Sequence, residues 1–251
     1  MTTPFITAED GTPAAARVAI LPAMGNIGLY LVFLIPPLLI GLGVQWRLKR
    51  TVAEQLQVPV STGMTGAQVA RAILDRNGLN DVPVELSPGG PLSDHYDPRK
   101  RAVFLSEPVH DGIAVASTAI GAHEVGHAIQ HATAYGAFRV RSALWPAVAF
   151  ASNAWFFLLL IGAFMNALGL IQLAIVLFAV VVLFQLVTLP VEFDASKRAM
   201  KQLSGIGLVA DVERDGASKV LRAAAMTYVA GALAALSQLA YYALVFLGNR
   251  N

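Results

Sequence analysis

The chain has 251 residues, of which 56% are apolar and only 14% are charged, with a mean hydropathy of +0.60. Ordinary soluble domains contain about 45–50% apolar and 25% charged residues, so the composition excludes that class and favours a mainly α integral membrane protein. The chain has no cysteine, which excludes disulfides and Cys-ligated zinc.

Four segments contain no charged side chain and approach the ~20 residues that cross a bilayer. The predicted spans are residues 26–46, 144–167, 169–189 and 225–247. Residues 1–25 form a predicted flexible N-terminus, and the first span is too long for a signal-peptide core, so we expect a retained anchor. Pro36 and Pro37 are expected to kink this span, which membrane helices tolerate when a neighbour covers the freed carbonyls.

The basic residues are unevenly distributed around the four predicted spans. Threading the chain through them puts Arg17 and Arg250 on one side and the other sixteen Lys and Arg residues on the opposite side. Because cytoplasmic flanks are rich in Lys and Arg, we expect both termini outside and the polar regions 47–121 and 190–224 in the cytoplasm. This distribution fits a membrane topology. It argues against nucleic-acid binding as the explanation of the net charge of +2.

The first polar region, 47–121, combines helical and extended patterns. Thr65 and Gln68 occupy capping-box positions at the start of an amphipathic helix. Two extended stretches follow, DVPVEL and RAVFLS, with the predicted turn DHYDPRK before the second. We therefore predict a small cytoplasmic α+β region that leads into the next helix.

That helix, in the predicted zinc-binding segment 122–143, contains GAHEVGHAIQH. His123 and His127 are one helical turn apart, so their rings can reach one tetrahedral zinc ion. Glu124 would lie beside the metal and accept a proton from the attacking water. His131 continues the spacing but lies about 12 Å along the axis from His123, so we reject it as a ligand. We expect His131 to be structural, to brace a ligand, or to lie near substrate.

The third ligand is expected in the second polar region, because residues 132–189 contain no Asp or Glu. Pro190 suits the start of a helix over 191–203. On that helix Glu192 and Asp194 point about 200° apart, so only one can face the zinc. Glu192 shares its face with small residues that can pack on the histidine helix. We predict Glu192 as the ligand, with Asp194 as its rival.

Four blocks, HEVGHAIQH, LSDHYDPRKRAVFLSEPV, FQLVTLPVEFDASKRAM and VLRAAAMTYVAGAL, give the chain a family resemblance over roughly residues 45–247. The sequence resembles the YugP-like neutral zinc metallopeptidases of bacterial membranes and, more distantly, the HtpX and CAAX-processing gluzincins. The resemblance implies a zincin-like catalytic region at the cytoplasmic face of a bacterial plasma membrane. It implies one Zn2+ ion per chain on His123, His127 and Glu192, with Glu124 as the general base.

The resemblance also suggests supporting roles for other residues. Gluzincins usually place an aspartate four residues after the glutamate ligand to brace a histidine; this chain has Ser196 there, whose hydroxyl could serve. RAVFLS could be the strand that pairs with extended substrate. His95 is either a turn residue or a substrate contact. Tyr228 and Arg222 are candidate oxyanion stabilisers, although tyrosine at a membrane boundary is commonly an interfacial anchor.

Three functions remain to be weighed. The leading hypothesis is a membrane-embedded zinc endopeptidase whose partners are the lipid bilayer and a protein or peptide substrate. The second is a non-catalytic adaptor or chaperone-like protein with a structural zinc, which would require a closed, four-ligand site. A metal transporter would require ionisable residues inside the spans, and the predicted spans have none. The sequence leaves the oligomeric state open.

Overall fold

The computed structural model describes residues 27–248, with side chains through residue 245. The predicted flexible segment 1–25 lies outside these residues. The helices are α1 (Ile27–Gln55), α2 (Gly66–Arg76), α3 (Glu107–His110), α4 (Val115–Ala132), α5 (Gly136–Phe164), α6 (Leu168–Gly205) and α7 (Asp211–Gly248). The strands are β1 (Val84–Leu86), β2 (His95–Asp97) and β3 (Ala102–Leu105).

Four helices, α1, α5, α6 and α7, are long and apolar enough to cross a membrane. Their most apolar windows are only 6% to 33% buried, so most of this apolar surface is left for lipid. The helices and the three-stranded sheet confirm the predicted class, a mainly α membrane protein with about four spans and a small α+β region.

The long helices extend beyond the predicted spans into the polar regions. Helix α5 begins at Gly136 rather than at 144, and α7 begins at Asp211 rather than at 225. The predicted helix start at Pro190 is wrong, because α6 continues through this residue without a break. Proline has a helix-compatible φ, and its missing N–H can be tolerated in helices that emerge from the membrane.

Helix α7 covers a carbonyl that a proline frees in α1. Pro37 has no N–H, so the carbonyl of Phe33, four residues earlier, lacks its usual helical donor. The hydroxyl of Ser237 on α7 donates to this oxygen at 2.7 Å. A neighbouring helix therefore compensates for Pro37, the second proline of the pair.

The sheet has the order β1-β3-β2, in which β1 is parallel and β2 antiparallel to the central strand β3. Strand β2 lies inside the predicted turn DHYDPRK, and the turn over residues 98–101 joins it to β3 as a hairpin, in agreement with the Asp-Pro signal. Tyr96 pairs with Val103, whose N–H already bonds Pro83 on the β1 side. In antiparallel pairing, the main-chain groups of Tyr96 therefore point to the outer edge of β2.

Helix α4 forms the centre of the polar region and is buried continuously from Gly121 to Gln130. It packs against α2, α6 and α7. A Cβ atom added to Gly126 would lie 2.6 Å from the carbonyl oxygen of Ala195, so α4 and α6 meet at their backbones. The capping box of Thr65 and Gln68 is present at the start of α2, as predicted.

Candidate metal centre

Three side chains from α4 and α6 converge at one buried point. The carboxylate Oε2 of Glu192 lies 3.3 Å from His123 Nε2 and 3.6 Å from His127 Nε2. The three candidate ligand atoms lie within 4.8 Å of one another. Donors that bind tetrahedral zinc at about 2.0–2.1 Å are about 3.3–3.4 Å apart. The donor types and their spacing therefore fit zinc.

A hydrogen-bond chain fixes the orientation of His127. The side-chain nitrogen of Gln130 donates to Val191 O at 2.7 Å and to Asp194 Oδ2 at 2.8 Å. These two acceptors determine which end of the amide is the nitrogen, so Gln130 Oε1 is the atom 3.0 Å from His127 Nδ1. His127 Nδ1–H then donates to this oxygen and leaves Nε2 with a lone pair toward the metal position.

Sequence reasoning missed Gln130, although its place three residues after His127 puts it near the same helix face. Asp194, the predicted rival ligand, accepts hydrogen bonds from Gln130 and, at 2.5 Å, from Arg198 Nε. It therefore lies one contact away from His127 and outside the cluster of three.

Ser196 lies against the other histidine. Its hydroxyl oxygen is 3.2 Å from His123 Nδ1, which is the position suggested for it in place of the gluzincin aspartate. Each histidine thus has one nitrogen toward Glu192 and the other toward a polar side chain. A hydrogen bond of this kind sets the tautomer and the ring angle of a metal ligand.

The arginine at this centre is Arg141 of α5. Its Nη1 lies 3.2 Å from Glu192 Oε1. One carboxylate oxygen of Glu192 therefore faces Arg141, and the other, Oε2, faces His123. Arg222, the arginine predicted from sequence, is exposed on α7 and does not line the cavity, so that prediction is wrong. Arg141 ends the charged flank before the second span, and this position was the available sequence signal.

Glu124 lies next to the cluster on the same helix. Burial raises the pKa of its carboxyl to about 7. A hydrogen bond from the N–H of Tyr96 on β2 opposes this rise by favouring the charged carboxylate. Glu124 is 7% exposed and lines an open cavity. Glu124 is therefore placed to exchange a proton with a molecule in that cavity.

This cavity, of about 780 Å³, has the metal cluster on one side and β2 with its following turn on another. The predicted pairing strand RAVFLS is β3, which is central and has both edges occupied, so that prediction is wrong. Among the described residues, both outer strands, β1 and β2, have an unpaired edge, and β2 is the one that lines the cavity. An extended chain in the cavity can add to β2 as a further strand.

The remaining predicted residues also line this cavity. The ring of His131 lies 2.9 Å from the Tyr96 hydroxyl and outside the ligand cluster. His95 Nδ1 is 2.8 Å from Ser93 O, and its ring stacks on Phe104 at the exposed rim. Tyr228 of α7 lines the cavity and contacts the Glu192 carboxylate.

Comparison with known proteins agrees with this arrangement. Residues 30–247 match the family described as "Putative neutral zinc metallopeptidase". The chain is 47% identical over 207 residues to "Putative membrane protease YugP" of Bacillus subtilis (strain 168), a match that covers 82% of this chain and 92% of the relative. No solved structure matches the chain. The family match and this identity establish that the chain belongs to the neutral zinc metallopeptidase family of YugP.

Proposed function

We propose that this chain is a zinc endopeptidase that hydrolyses peptide bonds of protein or peptide substrates at the cytoplasmic face of a bacterial plasma membrane. One Zn2+ ion per chain would be held by His123, His127 and Glu192. The observation that carries the proposal is the convergence of these ligands beside Glu124 at a large cavity.

A bound zinc ion would supply Lewis-acid chemistry, polarising a peptide carbonyl and making water more acidic. Glu124 accepts the proton of the attacking water and returns it to the leaving amine nitrogen. The outer edge of β2 holds the substrate extended across the cavity through the carbonyl of Tyr96, because the Tyr96 N–H bonds Glu124. The Tyr228 hydroxyl, which contacts Glu192, would turn to donate a hydrogen bond to the carbonyl oxygen as negative charge develops there.

Two features favour catalysis over a structural zinc in a non-catalytic adaptor. Structural sites usually have four protein ligands and are closed. Within residues 27–248 the cluster has three candidate ligands, and the same three residues line a cavity of about 780 Å³. A substrate can therefore reach the position that a fourth protein ligand would occupy in a structural site.

The proposed membrane side follows from the charges at the helix ends. Arg47, Lys49 and Arg50 follow the apolar part of α1, and Arg139 and Arg141 precede that of α5. These flanks lie at the same end of the spans as the metal cluster. Because such flanks are cytoplasmic, the cavity is assigned to the inner face.

The proposal is tested with Glu124→Gln in detergent-purified, zinc-loaded protein. Cleavage of fluorescein-labelled casein should fall on the order of 10²- to 10⁴-fold, because the general base is lost, while bound zinc stays at about one ion per chain. Glu85→Gln, at an exposed position on β1, is the matched control and should retain activity. Full activity in Glu124→Gln would overturn the proposed function.

A further inference from the structure

A second, smaller cavity of about 160 Å³ adjoins the metal centre. It shares Asp94, His123, Glu124 and Tyr228 with the large cavity. A polypeptide that brings a carbonyl to Glu124 therefore passes the opening of this smaller space. One of its side chains, close to the reacting bond, can enter it.

Away from the shared residues, the walls of the small cavity are mostly apolar and come mainly from three helices, with Leu92 added from the segment before β2. Leu48 and Val52 belong to α1, Ile120 to α4, and Leu221 and Ala224 to α7. Val52 is 7% and Leu221 3% exposed. These two walls are held within the core, so the shape of the cavity is set by the fold.

The two carboxylates that line this cavity, Asp94 and Glu124, are already engaged. Both oxygens of Asp94 accept hydrogen bonds from Ser106, at 2.8 to 3.1 Å. Glu124 is assigned to proton transfer at the reacting bond. A lysine or arginine side chain would therefore lose its hydration and would have to compete with Ser106 for Asp94, which is costly.

The volume limits the size of the side chain that fits. Apolar cavities of about 150 Å³ bind molecules the size of benzene. We propose that the small cavity is a specificity pocket that binds a leucine, isoleucine, valine, methionine or phenylalanine side chain next to the bond that is cleaved. This inference rests on the proposed function, and it makes α1 a wall of the substrate site as well as a membrane anchor.

The test begins with a mixed peptide library incubated with zinc-loaded wild type, with Glu124→Gln as background. Cleavage sites should be enriched for these five residues at a single position beside the bond. Two synthetic peptides with leucine or alanine at that position should then differ about 10- to 200-fold in kcat/KM, the range for small changes in a hydrophobic pocket.

Ala224→Leu fills the pocket and should reduce this leucine-to-alanine ratio at least tenfold, while the alanine peptide is still cleaved. Ala240→Leu, at an exposed position on the same helix, is the matched control and should keep the ratio. Val52→Ala enlarges the pocket from α1 and should shift preference toward phenylalanine, which provides a second test if Ala224→Leu does not fold.

Each outcome separates the pocket from the proposed function. Cleavage without enrichment, enrichment for lysine or arginine, or ratios unchanged in both folded pocket variants would overturn the pocket while the peptidase stands. Equal product release by wild type and Glu124→Gln would overturn the proposed function, and the pocket with it.

Discussion

Helix α6 is continuous from Leu168 to Gly205, but its two halves lie in different surroundings. In the membrane half, Val176 is 60% and Leu183 50% exposed within the protein. In the polar half, Val191 is 0%, Glu192 2% and Ala195 0% exposed. An apolar side chain of any size can face lipid at an exposed position of the membrane half. Where the backbones of α4 and α6 meet, only small side chains fit.

The comparison explains how a membrane helix can carry a metal ligand. Hydropathy keeps the first half of α6 in the bilayer, because apolar surface has no cost there. Steric fit then sets the rotation and height of the second half against α4. Glu192 lies one turn before the point where Gly126 meets Ala195, so this contact determines where the carboxylate lies relative to the histidines.

Glu192→Ala should give the largest effect, because it removes the α6 ligand and leaves Arg141 without its carboxylate partner. We expect bound zinc to fall from about one ion per chain to less than about 0.1. Asp194→Asn preserves the side-chain size at a position that contacts Gln130 rather than the metal. This variant should retain zinc, with an affinity reduced roughly tenfold. The measurement is metal content per chain after dialysis in detergent.

Retention of zinc by Glu192→Ala would show that Glu192 is not an essential ligand. Asp194 or His131 would then have to supply the third position. That outcome would also remove the reason for the strict packing of the polar half of α6.

Gly126→Ala tests the backbone contact itself. Its new Cβ would lie 2.6 Å from Ala195 O, and overpacking of this kind costs about 1–3 kcal/mol. Gly169→Ala in the membrane half of α6 meets nothing within 4 Å and should stabilise by up to roughly 1 kcal/mol through helix propensity. The two variants should therefore shift Tm in opposite directions, and only Gly126→Ala should weaken zinc binding. Equal shifts of the same sign would contradict the difference between the halves.

Local patterns were sufficient for much of this structure. The spans follow from runs of apolar residues, and the histidine helix follows from four-residue spacing. The lack of acids in residues 132–189 leaves Glu192 and Asp194 as candidates, and the small residues on its helix face favour Glu192. The structure brings His123, Glu124, His127 and Glu192 together. These four residues could be predicted because each signal depends on neighbours in sequence or on simple helix geometry.

The features that the sequence did not predict depend on partners far apart in the chain. Gln130 acts through Val191 and Asp194, which are more than 60 residues away. Arg141 and Arg222 are both basic residues near a span, and only tertiary packing decides that Arg141 faces the cavity. The prediction that β3 pairs with substrate is wrong for the same reason, because the sequence of one strand does not determine whether it is central or at the edge of the sheet.

The smallest predicted effect lies wholly in the membrane region. Ser237→Ala removes the donor to Phe33 O and leaves the carbonyl freed by Pro37 without this partner. Hydrogen bonds between membrane helices average about 0.6 kcal/mol, so we expect a small fall in Tm with no change in zinc content. Ser152→Ala is the matched control, because Ser152 is exposed and bonds a carbonyl of its own helix. A loss of zinc in Ser237→Ala would show that the α1–α7 contact affects zinc binding. The membrane region and the metal centre would then be energetically coupled.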